Sequence, residues 1–206
     1  RLQTDYVDLY QSHSDDSDIP LEETLRAYDD LIKQGKVRFI GASNYNANRL
    51  KEALAVSEEH NLARYETLQP HHNMVHRPEF EAELAAVCVE HEIGVIPYSP
   101  LAGGFLTGKY QKNQPAPEDA RGKNSARIKT YSTDKNWGLL ELIEKIGTEK
   151  GGYSISQIAL AWQNSMPVIT SPIIGPRTLA QMEDNLGAVG LRLAPNEMAL
   201  LNTASA

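Results

Sequence analysis

From Tyr6 onward, short apolar runs alternate with longer stretches in which apolar residues recur every three or four positions. Such runs mark strands, and such stretches mark amphipathic helices. Tyr6 to Gln11, YVDLYQ, alternates apolar and polar residues and predicts the first strand. Asp18-Ile19-Pro20 predicts a helix start, with Asp18 as cap, acids Glu22 and Glu23 near its positive end, and Leu21, Leu25, Tyr28 and Ile32 on one face. Gly35 ends that helix. Val37 to Ser43 is the second strand, Asn46 opens a helix carrying Leu50, Ala53, Leu54 and Ser57, and Tyr65 to Gln69 is the third strand.

The pattern then repeats. A helix is expected over Glu79 to His91, a strand over Gly94 to Tyr98, and a long polar, proline-bearing loop over Gln111 to Asp134. Helices follow at Trp137 to Lys150 and Ser154 to Asn164, the second opened by a capping box of Ser154 and Gln157. A last strand at Val168 to Ile174 runs into a helix from Thr178 to about Val189, and Pro195 starts a C-terminal helix.

Strand and helix in strict alternation mean parallel strands with helical crossovers, either a doubly wound sheet or a β/α barrel. In a barrel, ligand groups sit where each strand ends, whereas a doubly wound sheet gathers them at one switch point. Here they follow every strand: His13, then Ser43 and Asn44, then Gln69, then Tyr98 and Ser99, then Gly175 and Arg177. The distribution favours an α/β barrel forming one domain over residues 1–206. A closed barrel has eight strands, and the pattern supplies five in a chain that begins at Arg1 without a methionine. Part of a barrel is therefore expected.

Gly94 to Lys109, GVIPYSPLAGGFLTGK, joins the fourth strand to an aromatic residue, a hydroxyl, paired glycines and a lysine. Glycines let a backbone approach an anion closely, a tyrosine ring stacks on a flat ligand, and a lysine pairs with phosphate. Gly103 to Lys109 also fits G-x-x-x-x-G-K, but Tyr110 stands where a P-loop needs Ser or Thr for Mg²⁺, and the polar sequel predicts no helix to receive phosphates. Nucleotide hydrolysis is not expected.

Composition narrows the classes further. A net charge of −7 with no run of Lys or Arg argues against a nucleic-acid partner, and no stretch suggests a membrane partner. The lone Cys88 rules out an internal disulfide and fits a reducing, cytoplasmic setting. It shares a helical period with Phe80, Leu84, Val87 and His91, so a buried structural thiol is expected.

Taken together, DLYQSH (8–13), GASNYN (41–46), QPHHN (69–73), YSPLAGGFLTGKY (98–110) and GPRTLAQMEDN (175–185) resemble, in order and spacing, the aldo-keto reductases. The resemblance covers essentially the whole chain and implies strands four to eight of a (β/α)8 barrel, lacking the first three β/α units. It implies an NADP(H)-dependent oxidoreductase that moves hydride between nicotinamide and an aldehyde or ketone, a small-molecule carbonyl substrate. His13 is similar to the family's active-site histidine, which orients the carbonyl. Ser43, Asn44 and Gln69 resemble its nicotinamide carboxamide contacts, and Tyr98 its stacking residue. Ser99, Pro100, Leu101 and Gly103 would lie along the pyrophosphate with Lys109 near. The family's tyrosine, lysine and aspartate belong to strands one to three, so no residue here takes their roles. His72 stands where many members carry tyrosine.

Arg177, Gln181 and Asn185 recur every four residues, which predicts one helix face with Arg177 at its positive end. A guanidinium fork there suits a phosphate dianion, hence a 2′-phosphate, with Gly175 in the approach and Asp184 and Asn185 toward the adenine. Arg121 and Arg127 in the long loop are candidates for a clamp over the cofactor. His71, His72 and His76 do not predict a metal site, since structural zinc needs four converging ligands.

Overall fold

A computed structural model of the chain describes residues 2–118, 120 and 125–206; Arg121 therefore lies outside the described residues. Contacts divide the chain into two compact units, one of residues 1–70 and 79–96, the other of 71–78 and 97–206.

The first unit is built on a parallel sheet in the order β1-β2-β3-β4. Its strands are β1 (Val7–Ser12), β2 (Val37–Ser43), β3 (Tyr65–Gln69) and β4 (Gly94–Val95). Helices α1 (Leu21–Lys33) and α2 (Ala47–Glu59) are the crossovers. Asn46 caps α2 by accepting from Arg49 N–H at 2.9 Å. Helix α1 ends in a Schellman turn: Gly35, at φ +70°, donates to Ile32 C=O, and Lys36 N–H reaches Leu31 C=O. Asp18 does not cap α1. Pro20 occupies the cap with an extended backbone, and Asp18 N–H is turned instead onto Asp16 Oδ1.

One face of the sheet is decided by a bulge. Ile40 pairs with Tyr65 but Gly41 pairs with Thr67, so β3 carries one extra residue, Glu66. A bulge of this kind reverses the alternation beyond it. Tyr65 and Leu68, three residues apart, are therefore both fully buried. Tyr65 meets Tyr28 of α1 edge to face and hydrogen-bonds Tyr45 at 3.1 Å. Thr67 and Gln69 are left on the opposite face, the one that carries Gln11.

The expected helix over 79–91 is two pieces, α3 (Pro78–Glu81) and α4 (Leu84–Glu90), parted where Glu83 departs from helical geometry. Each piece buries its own apolar residues, Phe80 in one and Leu84, Val87 and Cys88 in the other. Burial pushes the Cys88 thiol up to about 12, so it is inert as a nucleophile at neutral pH.

In the second unit, Phe105, Leu106, Ile143, Trp162 and Leu201 form the centre of an apolar core. Around it lie α5 (Ala126–Tyr131), α6 (Asp134–Glu149), α7 (Ile155–Asn164), α8 (Leu179–Leu186) and α9 (Pro195–Ser205). Helix α5 lies inside the segment expected to be loop. It is only six residues long, and what holds it is burial of Ile128 and Tyr131, which periodicity over so short a span does not register. Helix α6 begins three residues early because Thr133, not Trp137, starts it: Thr133 Oγ1 accepts from Asn136 N–H at 3.2 Å. The capping box at Ser154 is present in full.

Two expected strands shrink for one reason. Pro97 follows Ile96, and Pro172 precedes Ile173; neither proline has an N–H for a ladder. The strand expected over 94–98 is only Gly94–Val95. The strand expected over 168–174 is reduced to an isolated parallel bridge of Ile173 with Tyr98, where Ile173 N–H donates to Pro97 C=O at 2.9 Å.

The C-terminal helix is anchored by an ion pair. Glu197 accepts from Ala194 N–H at 2.6 Å and from Lys150 Nζ at 2.9 Å. Burial opposes ionisation of Glu197, but the Ala194 N–H and the Lys150 ammonium outweigh it and hold the carboxyl below its usual range. A depressed carboxyl contributes stability above its unfolded pKa and loses it as pH falls through the folded one. Glu197→Gln is expected to cost about 1 kcal/mol at pH 7, with the deficit closing below about pH 4. Urea titrations at pH 7 and pH 3 check this; a deficit equal at both would assign the effect to packing instead.

Candidate functional site

The C-terminal ends of β1, β2 and β3 bring together His13, Ser43, Asn44 and Gln69. Ser43 is buried and donates its hydroxyl to Gln69 C=O at 2.8 Å. Asn44, the next residue, takes a left-handed backbone at φ +58°, which Asn tolerates better than most side chains. From there its amide donates to His13 C=O at 2.7 Å and to Ser43 Oγ at 3.2 Å. Three strand ends are thus tied at one point. Strain of this kind collects at ligand sites. His13 and Asn44 are exposed, and Gln69 is half-buried.

Gln11 joins this group, and sequence reading missed it. Gln69 Nε2 donates to Gln11 Oε1, and Gln11 Nε2 reaches Thr67 Oγ1 at 3.5 Å. Gln11, Gly41 and Thr67 share one row across three strands. Gly41 is what lets Gln11 cross β2: a Cβ there would overlap Thr67 Oγ1 and come within 3.3 Å of Gln11 Nε2. The available signal was a strand glutamine followed, one strand later, by a strand glycine.

The second unit assembles the groups that follow Pro97. Tyr98 stacks on His71 with ring centroids 5.0 Å apart and planes 10° apart, and His71 stacks in turn on His76 at 3.9 Å. One face of Tyr98 is thereby covered by an imidazole. Ser99, at φ +56°, is held by buried Asn73, whose Nδ2 donates to Ser99 C=O at 3.0 Å.

The glycine segment is not an open loop. Ala102–Thr107 winds as a 3₁₀ turn with Gly103 and Gly104 at positive φ, closed by Thr107 Oγ1 donating to Gly104 C=O at 2.8 Å. Gly104 makes room for a side chain rather than for a ligand, since a Cβ there would meet the Lys109 chain at 2.6 Å. Pro100 is buried, Leu101 half-buried, and Gly103 and Lys109 are exposed.

His72 is a core residue. It is fully buried, accepts from Gln163 Nε2 at 2.8 Å through its C=O, pairs with that nitrogen through Nδ1 at 3.0 Å, and lies against Trp162.

Helix α8 departs from the expected face. Thr178 is its cap, accepting from Gln181 N–H at 3.2 Å, so Arg177 stands one residue outside the helix. Gln181 Oε1 accepts Arg177 N–H at 2.8 Å, fixing the approach from Gly175. Arg177 and Gln181 are exposed, Asp184 is half-buried and Asn185 is buried. The three therefore do not form one open face. Leu179, Met182 and Leu186 are exposed instead. Arg127, on α5, is exposed.

Comparison with known proteins identifies the fold and the family. A solved glycerol dehydrogenase of Gluconobacter oxydans superposes with a TM-score of 0.84 at 24% identity over 98% of this chain and 59% of that one, which shows the fold. The aldo-keto reductase dtxS3 of Metarhizium robertsii is 34% identical over 96% of this chain and 52% of its own length. A probable voltage-gated potassium channel subunit beta of Arabidopsis thaliana is 33% identical over 92% of this chain and 58% of its own length. The chain thus spans little more than half of these curated relatives. The family profile described as "Aldo/keto reductase family" matches residues 1–206 from end to end, and the chain belongs to that family.

Proposed function

We propose that these residues are one domain's share of an NADP(H)-dependent oxidoreductase, corresponding to strands four to eight of the family's barrel without its first three β/α units. The observation that carries this reading is the junction of His13, Ser43, Asn44 and Gln69 at three consecutive strand ends, where barrel enzymes place their chemistry. Phe39, exposed on the sheet face that also bears Gln11, supports the incomplete barrel, since that face would be the interior of a closed one.

The donor set fits a nicotinamide dinucleotide phosphate. Among the described residues, Gln69 Oε1 accepts no hydrogen bond and suits an amide donor, while Arg177 offers a fork to a dianion. Bound, the cofactor supplies the hydride that its nicotinamide carries. Gln69, Ser43 and Asn44 hold the carboxamide and so fix which ring face is presented. Tyr98, backed by His71, stacks on that ring. Ser99, Pro100, Leu101, Gly103 and Lys109 line the pyrophosphate, and Gly175, Arg177, Gln181, Asp184 and Asn185 hold the adenosine end. Arg127 is a candidate clamp. His13 orients the substrate carbonyl by hydrogen bonding. With no tyrosine, lysine or aspartate assigned to the proton-donating roles, the 206 residues alone bind cofactor but reduce no aldehyde or ketone at a useful rate. Among the described residues no helix is long and apolar enough to cross a membrane, and the cytoplasm is the proposed setting.

Titration with NADPH and NADH, followed through Trp137 and Trp162 emission, tests this. Saturable binding with at least tenfold preference for NADPH is expected, on the scale of charge-assisted hydrogen bonds. A folded chain that binds neither refutes it.

A second reading rests on the Arabidopsis relative, whose name describes a channel subunit: a nicotinamide-binding regulatory subunit. Carbonyl-dependent NADPH oxidation by a polypeptide that supplies strands one to three favours the enzyme, and tight binding without turnover favours the subunit.

A further inference from the structure

Resting on the cofactor reading above, we propose that Gln11 is a positioning residue, setting which end of the Gln69 amide faces the nicotinamide carboxamide. An amide side chain offers either an acceptor or a donor to a ligand, and its orientation is set by what its other end bonds. Here that other end is bonded within the sheet. Gln11 donates from Nε2 to Thr67 Oγ1 and accepts from Gln69 Nε2 through Oε1. Among the described residues Gln69 Oε1 accepts no hydrogen bond, so it is an acceptor for an N–H donor.

Three backbone features make this relay possible. The row Gln11, Gly41, Thr67 brings two polar side chains to either side of a residue without one. The bulge at Glu66 turns Thr67 and Gln69 to the face of Gln11 rather than toward the helices. Ser43 pins the Gln69 backbone through its C=O, so Gln69 has only its side chain left to orient. The ligand class selected is a primary carboxamide that presents its NH2 group, and its orientation governs which ring face meets the substrate.

The test compares wild type with Gln11→Leu, Gln11→Glu and Thr67→Val, using two probes. NADPH carries the nicotinamide; adenosine 2′,5′-bisphosphate carries only the end assigned to Arg177. Gln11→Leu is expected to weaken NADPH about tenfold, the scale of one hydrogen bond, and to leave the bisphosphate unchanged. Gln11→Glu restores most of the loss, because a carboxylate only accepts and still obliges Gln69 to donate. Thr67→Val falls between, since it frees Gln11 to turn over. Nitrogen-15 spectra without ligand report the contact itself: the Gln69 side-chain NH2 protons exchange slowly with water in wild type and rapidly in Gln11→Leu.

Equal loss of both probes in Gln11→Leu, no loss of either, or a Gln11→Glu variant as weak as Gln11→Leu would each overturn the proposal while wild-type NADPH binding leaves the cofactor reading intact. Wild type that binds the bisphosphate but not NADPH, or neither, overturns the cofactor reading and this proposal with it.

Discussion

Arg177→Ala is expected to raise the Kd for NADPH by about 10- to 100-fold and to change the Kd for NADH by less than about twofold, erasing the preference between them. The magnitude is that of one or two charge-assisted hydrogen bonds lost to a dianion. The prediction follows from the backbone as much as from the charge. Pro176 precedes Arg177, Gln181 accepts its N–H at 2.8 Å, and Thr178 caps the helix behind it. The guanidinium is therefore carried on a fixed backbone at the mouth of α8. Arg177→Lys separates fork from charge: a lysine keeps the charge but not the two parallel donors, and should recover only part of the loss. Isothermal titration at two salt concentrations checks both variants. Parallel losses for NADPH and NADH would mean that Arg177 acts on shared structure and not on the 2′-phosphate.

Trp162→Ala is expected to lower the stability of the second unit by roughly 3–5 kcal/mol, the usual cost of truncating a large buried aromatic. Trp162 is fully buried, donates its indole N–H to Asn202 Oδ1 at 2.9 Å, lies against His72 and carries the Arg77 guanidinium over its ring at 5.3 Å. Arg77 in turn donates to Asn202 C=O at 2.9 Å and to Ser205 Oγ at 2.6 Å. Removing the ring thus leaves a cavity, an amide without its donor and a cation without its aromatic face. Trp162→Phe keeps the volume near and loses the N–H, and should cost about 1–2 kcal/mol. Guanidinium denaturation followed by far-ultraviolet circular dichroism measures both. A loss below 1 kcal/mol for the alanine variant would show that the site collapses and refills.

The largest feature that sequence reading placed differently is the region around Tyr98. Period-two alternation carries the strands only while every residue has an N–H to give, and Pro97 and Pro172 interrupt two of them. The composition of the runs was apolar enough for strands; the missing donors were visible as letters, but their weight depends on which neighbour each N–H would have met.

What the chain by itself determined was local. Caps at Asn46, Ser154 and Thr178, the glycine stop at Gly35 and the strands ending at Ser43 and Gln69 are decided by residues within one turn or one pairing of each other. The groups at those ends were legible for the same reason. What only the tertiary structure decided is non-local: the bulge that sends Thr67 and Gln69 to the face of Gln11, the burial of His72 and Asn185, the short helix held by Ile128 and Tyr131, and the stacking of His71 on Tyr98. Each depends on a register between strands or on packing between residues far apart in the chain, and hydrophobic periodicity carries no record of either.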